Sequence, residues 1–214
     1  TILFGISYDT LDTTGKLIET MPVTLKEEAI IEGMQSFIGA YDQIPPMYSA
    51  LKVEGKKLYE LARNGIEIER EARQVTIYQF IATSTFANQR LSFLAHVSKG
   101  TYIRTLAYDL AKRVGQIAAL ESLTRLEVGT YKLSQAKAMD EVTIDDIITL
   151  DTFFKDTPFI VLNDYMIRLV KNGIYLDQRQ TTTDQPFIVK DEQGQMIAYY
   201  NVTPEGVYAP VIIF

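Results

Sequence analysis

Cysteine is absent from the sequence, which removes disulfides, thiolate metal sites and cysteine nucleophiles together and suits a cytosolic protein. Histidine is nearly absent as well. His96 stands alone, so neither a histidine-based metal cluster nor a serine–histidine relay is expected. No apolar run approaches the roughly 18 residues that a membrane span requires. The opening Thr1-Ile2-Leu3-Phe4-Gly5 has neither the basic start nor the cleavage site of a signal peptide. What is present is an apolar fraction of 47% in 214 residues. That is enough for a globular chain with a substantial core, as one large domain or one plus a small appendage.

The formal net charge is −6, which argues at first against a nucleic-acid partner, because phosphate binding depends on Lys and Arg. The charges are unevenly spread, however. Acidic residues crowd into Asp140-Glu141, Asp145-Asp146, Asp151 and Asp156, with Lys155 among them. Basic residues gather at Lys52, Lys56, Lys57, Arg63, Arg70 and Arg73, and again at Lys99, Arg104, Lys112, Arg113 and Arg125. Glutamates interrupt the first basic group, so a mixed solvated face is its plainer alternative. Composition permits an RNA partner without requiring one.

Ile2, Phe4 and Ile6 alternate as in a strand, and Asp12-Thr13-Thr14-Gly15 reads as a turn before a second strand, Lys16 to Thr20. A chain that opens inside a strand looks truncated. Thr24 and Glu27 form a capping-box pattern ahead of Ile30, Met34, Phe37 and Ile38, with Gly39 as the stop. Residues 41–55 are expected to be a loop around Pro45-Pro46, followed by a short helix, Lys57 to Asn64, and Gly65. Val75 to Thr85 and Arg90 to Ser98 are expected to form a hairpin around Ala87-Asn88. A helix over Thr101 to Val114 ends at Gly115, and a short helix and a strand near Leu126 to Lys132 follow. Thr143 and Asp146 begin an acidic helix. Beyond Pro158, Asn163 caps a helix that stops at Gly173, and short strands close the chain around a turn at Asp191–Gly194. The expected division is a main domain over residues 1–157 and a small one over 158–214.

Two segments carry chemistry. In Ser98 to Leu110, SKGTYIRTLAYDL, a glycine turn leads into a helix whose start bears Tyr102 and Arg104. Such a turn sets a guanidinium and a phenol at a sheet rim beside helical N–H groups, a place suited to a phosphate or a held carboxylate. An ordinary strand-to-helix connection is the plainer alternative. In Gln43 to Val75, Tyr48 and Tyr59 interleave with Lys and Arg around a rigid Pro-Pro loop, so cations can meet phosphates while tyrosines stack. A surface loop with an amphipathic helix is again the plainer alternative. Asp9, Asp12 and Tyr8 suggest an acid pair beside a phenol, although a turn-forming role for Asp12 is simpler.

The runs YDTLDTTGKL, QIPPMYSALKVEGKKLYELARNGIEIEREARQVTIY, SKGTYIRTLAYDLAKRVG and LTRLEVG occur in the order and spacing of the TruB family of tRNA pseudouridine synthases, which the chain resembles over nearly all of residues 1–133. The resemblance implies an α+β pseudouridine synthase fold, a mixed and mainly antiparallel sheet flanked by helices. It adds a small C-terminal α/β domain that assists tRNA binding. It implies a cytoplasmic monomer that works on the T-arm stem-loop of tRNA, with no membrane, no metal and no organic cofactor. Family members flip a T-loop uridine out, detach its base from C1′, rotate it and reattach it through C5. A non-catalytic module that binds or folds the T-arm is the alternative. A protein-interaction domain using the acidic C-terminal region is a weaker third.

Carried over by motif, Arg104 matches the arginine that holds the family's catalytic aspartate ionised and oriented, and Tyr102 matches a pocket tyrosine. Leu123 matches the pocket leucine, with Lys99 near the same rim. Arg125 falls where the family also places a basic residue, among those set against the RNA, while Thr124 departs from the usual arginine. Tyr48, Lys52, Lys56, Lys57, Tyr59 and Arg63 fall in the region set against the T-arm. The family's glycine-flanked aspartate loop lies ahead of the YDTLD segment, and neither Asp9 nor Asp12 matches it. The expectation is therefore that these residues alone hold half an active site, with little activity and an unpaired sheet edge.

Overall fold

The alternating run at the start of the chain folds as two strands, β1 (Ile2–Phe4) and β2 (Ile6–Tyr8), separated by Gly5 at φ +83°. A Cβ there would come within 2.7 Å of the Met21 carbonyl oxygen and 2.6 Å of Val23. Only glycine meets both the backbone angle and the space. The computed structural model describes residues 1–53 and 55–214, which form two compact units, Thr1–Ser134 and Gln135–Phe214.

In the first unit, β3 (Leu17–Thr20) returns antiparallel to β2. Next come α1 (Glu27–Gln35), β4 (Gly39–Gln43), the antiparallel pair β5 (Lys52–Val53) and β6 (Lys56–Lys57), and α2 (Leu58–Arg63). β7 (Arg73–Ala82) lies antiparallel to β4. β8 (Arg90–Leu91) pairs with β1, and after Ser92 the same segment continues as β9 (Phe93–Val97) against β7. α3 (Ile103–Arg113) then leads to β10 (Ala118–Leu120) on the other side of β1. β11 (Glu127–Val128) and β12 (Tyr131–Lys132) make a small hairpin. The sheet orders are β10-β1-β8 and β4-β7-β9.

Helical spacing puts Ile30 and Met34 of α1 and Leu106, Leu110 and Ala111 of α3 into one core with Ile2, Phe4, Ile77, Phe80 and Leu91. Each large apolar side chain removed from water contributes about 1.5–3 kcal/mol. Gly33 sets how closely the helices approach, since a Cβ there would sit 2.9 Å from Leu110 and from Val114.

Three local expectations give way to tertiary partners. The Thr24 capping box does not form. α1 starts after Lys26 without a side-chain cap, and the Glu27 carboxylate accepts instead from the Phe86 backbone N–H at 2.7 Å. Residues 39–43, expected within or next to a loop, are drawn into β4 by β7. No helix lies between α3 and β11 among the described residues, because the small apolar run 118–120 is buried as a strand against β1.

The second unit begins ahead of Pro158. Thr143 and Asp146 do form a capping box, but around a single 3-10 turn, Ile144–Asp146, and α4 (Leu150–Phe153) is separate. Phe154 packs on Tyr199 and Phe214, with ring centroids 5.2 and 5.8 Å away. β13 (Phe159–Val161) runs parallel to β14 (Phe187–Lys190), a pairing that requires a crossover. α5 (Asp164–Lys171) belongs to it and is capped by the Asn163 side chain at Met166 N, 3.0 Å. β15 (Met196–Val202) and β16 (Tyr208–Ile213) complete the sheet antiparallel. Ile167 and Val170 of α5 cover Phe187, Val189, Ala198 and Tyr200. The whole is an α+β chain, with a mixed sheet in its second unit.

Candidate active site

The turn between β2 and β3 is built around one carboxylate. Asp12 Oδ1 accepts from Thr10 Oγ1 at 2.8 Å and from the Thr14 backbone N–H at 3.1 Å. Leu11 is held at φ 63°, a region that costs a non-glycine residue energy and persists only where its surroundings enforce it. Gly15 makes room for the turn, because a Cβ would fall 2.2 Å from Thr10 Oγ1 and 2.3 Å from Asp9 Oδ1.

Arg104, in the first turn of α3, reaches this turn. Its Nη1 donates to the Thr10 carbonyl at 2.9 Å and to Asp12 Oδ2 at 3.2 Å. Its Nη2 donates to the Tyr48 carbonyl at 2.8 Å. Both side chains of the ion pair are largely covered, at 24% and 21% exposure. Burial pushes the Asp12 carboxyl upward, but hydrogen bonds from Thr14 and Thr10, joined by the charge of Arg104, outweigh it and leave the group below its ordinary value. Tyr48 closes the circuit: its hydroxyl donates to Asp9 Oδ2 at 3.0 Å, and Asp9 Oδ1 accepts from Lys16 N at 2.7 Å. The Asp9 bond raises the Tyr48 phenol above its usual value.

The start of α3 is fixed from behind. Gly100 turns the chain at φ +88°, Thr101 Oγ1 donates to the Ser98 carbonyl at 2.9 Å, and Tyr102 is the N-cap. Gln43, at the end of β4, bonds both polar groups of the Tyr102 backbone. Beyond the Pro45-Pro46 loop, Lys52 of β5 and Lys56 of β6 are exposed and Lys57 is half-buried. Tyr59 lies between cations, with Lys57 Nζ and the Arg63 guanidinium 5.5 and 5.4 Å from its ring centroid.

The structure thus joins Arg104 and Tyr48 directly and sets Tyr102 at the adjoining helix start. Lys99 is exposed in the preceding turn, and Leu123 (56% exposed) and Arg125 lie on the surface segment after β10. Two parts of the circuit escaped the sequence reading. Asp12 was expected as a turn former, which it is, but its second oxygen serves Arg104. Gln43 opens the Pro-Pro segment, but its bond to Tyr102 had no signal, since one buried amide alters neither periodicity nor charge. Among the described residues, no group of three or more His, Cys, Asp or Glu side chains is placed to hold a metal ion. No helix among them is long and apolar enough to cross a membrane.

Comparison with known proteins identifies the family. A family model described as TruB family pseudouridylate synthase (N terminal domain) matches residues 1–103. The chain is 47% identical over 215 residues to tRNA pseudouridine synthase B of Onion yellows phytoplasma (strain OY-M), an alignment covering 100% of this chain and 76% of that protein. It is 44% identical over 200 residues to tRNA pseudouridine synthase B of Acholeplasma laidlawii (strain PG-8A), covering 94% and 71%. Among solved structures, a chain in "Crystal Structure of a Cbf5-Nop10-Gar1 Complex" superposes with a TM-score of 0.55 at 16% identity, covering 100% of this chain and 64% of that one. That last likeness is one of fold.

Proposed function

The chain belongs to the TruB family of pseudouridylate synthases, and from that membership we propose that it isomerises a T-loop uridine of tRNA to pseudouridine. The observation that carries the proposal is the circuit around Arg104. A guanidinium anchored on two carbonyls and a carboxylate, beside the N-cap Tyr102, is a preorganised partner for a reacting carboxylate.

In the reaction, the uridine leaves its stack because the reacting atoms are inaccessible within the folded loop. The C1′–N1 bond breaks, the base turns, C1′–C5 forms, and the proton on C5 departs while N1 regains one. Arg104 keeps a carboxylate ionised and aimed, Tyr102 lies against the uracil, and Leu123 and Lys99 line the rim. Lys52, Lys56, Lys57, Arg63 and Arg125 neutralise phosphates of the T-arm, with Tyr48 and Tyr59 beside them. The second unit adds tRNA affinity. The protein acts in the cytoplasm as a monomer.

Neither Asp9 nor Asp12 is assigned as nucleophile. Asp9 is occupied by Tyr48 and Lys16, and Asp12 by Thr10, Thr14 and Arg104. Because both carboxylates of the turn already have partners within the chain, a second reading is a T-arm binding module without chemistry. Tritium release from a T-arm stem-loop labelled at C5 of its target uridine separates the readings. Release from the T-arm but not from an anticodon stem-loop supports the isomerase. Tight T-arm binding without release supports the module, and equal release from both RNAs contradicts T-arm selectivity.

A further inference from the structure

Gln43 is the last residue of β4, paired with Arg73 of β7, and its exposure is 1%. Its Nε2 donates to the Tyr102 carbonyl at 3.1 Å, and its Oε1 accepts from the Tyr102 N–H at 2.7 Å. One buried amide therefore satisfies both polar groups of one peptide residue. That residue is the N-cap of α3, and its carbonyl also accepts the helical bond from Leu106 N at 3.0 Å. A primary amide is the side chain that offers a donor and an acceptor in this pairing without charge. Arg104 lies two residues beyond, and its Nη2 grips the Tyr48 carbonyl at 2.8 Å. The segment from Gln43 through Pro45-Pro46 to Tyr48 is thus fastened to the first turn of α3 at both ends.

We propose that Gln43 is a positioning residue for the uridine site: its amide fixes the peptide at Tyr102, and through it the direction in which Tyr102 and Arg104 leave α3. The role rests on the isomerase reading for its catalytic consequence, and on geometry alone for its effect on Arg104. A helix start that swings by a fraction of an ångström would move the guanidinium at its rim, and displacements of that order are costly to catalysis.

Gln43→Glu tests this with a built-in switch. The protonated carboxyl offers one donor and one acceptor, as the amide does. The ionised carboxylate still accepts from Tyr102 N but sets a negative oxygen against the Tyr102 carbonyl. Burial raises the pH at which the introduced group ionises. The readout is the nitrogen-15 spectrum of the Arg104 guanidinium, followed through pH in the natural protein and in Q43E. The neighbouring carboxylates Asp9, Asp12 and Asp109 are present in both proteins, so the wild-type curve subtracts any contribution from them.

The expected result is restrained Arg104 signals in Q43E at acid pH, which become solvent-averaged along a titration that the wild type lacks. On T-arm RNA, kcat falls about tenfold over the same limb while KM stays within about twofold. Wild-type Arg104 signals throughout in a folded Q43E overturn the proposal. Gln43→Met, close in volume and without either bond, serves if Q43E does not fold, and is expected to average the Arg104 signals at every pH. Failure of both variants to fold makes Gln43 purely structural and also overturns it. A natural protein without turnover refutes the isomerase reading instead, and leaves the spectrum to decide Gln43.

Discussion

Arg104 and Asp12 face each other at 3.2 Å across 92 residues of sequence, a helix start meeting a β-turn. Both Asp12 oxygens accept bonds within the chain, Oδ1 from the turn and Oδ2 from the guanidinium. The carboxyl is held below its ordinary value although burial opposes this, because the Thr14 and Thr10 bonds and Arg104 prevail. A lowered folded value means stability that is present above the unfolded value, near pH 4, and lost as pH falls through the folded one. Asp12→Asn is therefore expected to flatten the acid limb of a urea-derived stability profile below about pH 4. An unchanged acid limb would count against the ion pair.

Gly5 tests the join between β1 and β2. Gly5→Ala forces an L residue to φ +83° and its methyl toward the Met21 carbonyl at 2.7 Å. The expected loss is about 2–4 kcal/mol by urea titration. A loss below about 1 kcal/mol would mean that the chain relaxes there at little cost.

The cations around Tyr59 test the RNA surface. Arg63→Ala is expected to weaken T-arm binding uniformly and to reduce the slope of log K against log salt by about one. An unaltered slope would remove Arg63 from the phosphate contacts.

Tyr41 and Asp109 tie β4 to α3 farther along the same interface through a hydrogen bond from the phenol to the carboxylate. Burial holds the Asp109 carboxyl above its ordinary value, although Tyr41, Lys112 and Arg113 pull the other way. A raised carboxyl adds most to stability below its unfolded value, and that contribution is lost as pH rises through the folded one. Tyr41→Phe removes a donor to the ionised form, so its cost is expected to be larger at pH 7 than at pH 4. Equal costs at both pH values would show that the bond does not depend on ionisation.

Much of this was legible in local signals. α3 and α5 follow from apolar spacing, and Asn163 and the glycines at 115 and 173 mark their ends, because capping is decided within a few residues. β4 and β10 were not legible, since a strand of three to five residues is fixed by its partner. Thr24 offered a good local cap, yet Glu27 was claimed by the distant Phe86. At the site, the Gly100 turn placed Tyr102 and Arg104 correctly at a helix start. What occupies Arg104 was hidden, because Thr10, Asp12 and Tyr48 meet it only through the folding of β2, β3 and the Pro-Pro loop.

Arg104→Ala in the natural protein, assayed for tritium release from T-arm RNA alongside RNA affinity, tests the catalytic assignment most directly. Release is expected to fall by about a hundredfold or more while Kd changes by less than about threefold, the pattern of a group that acts in the transition state. Parallel losses in both, or near-normal release, would contradict the role given to the guanidinium and leave Arg104 as a strut of the fold.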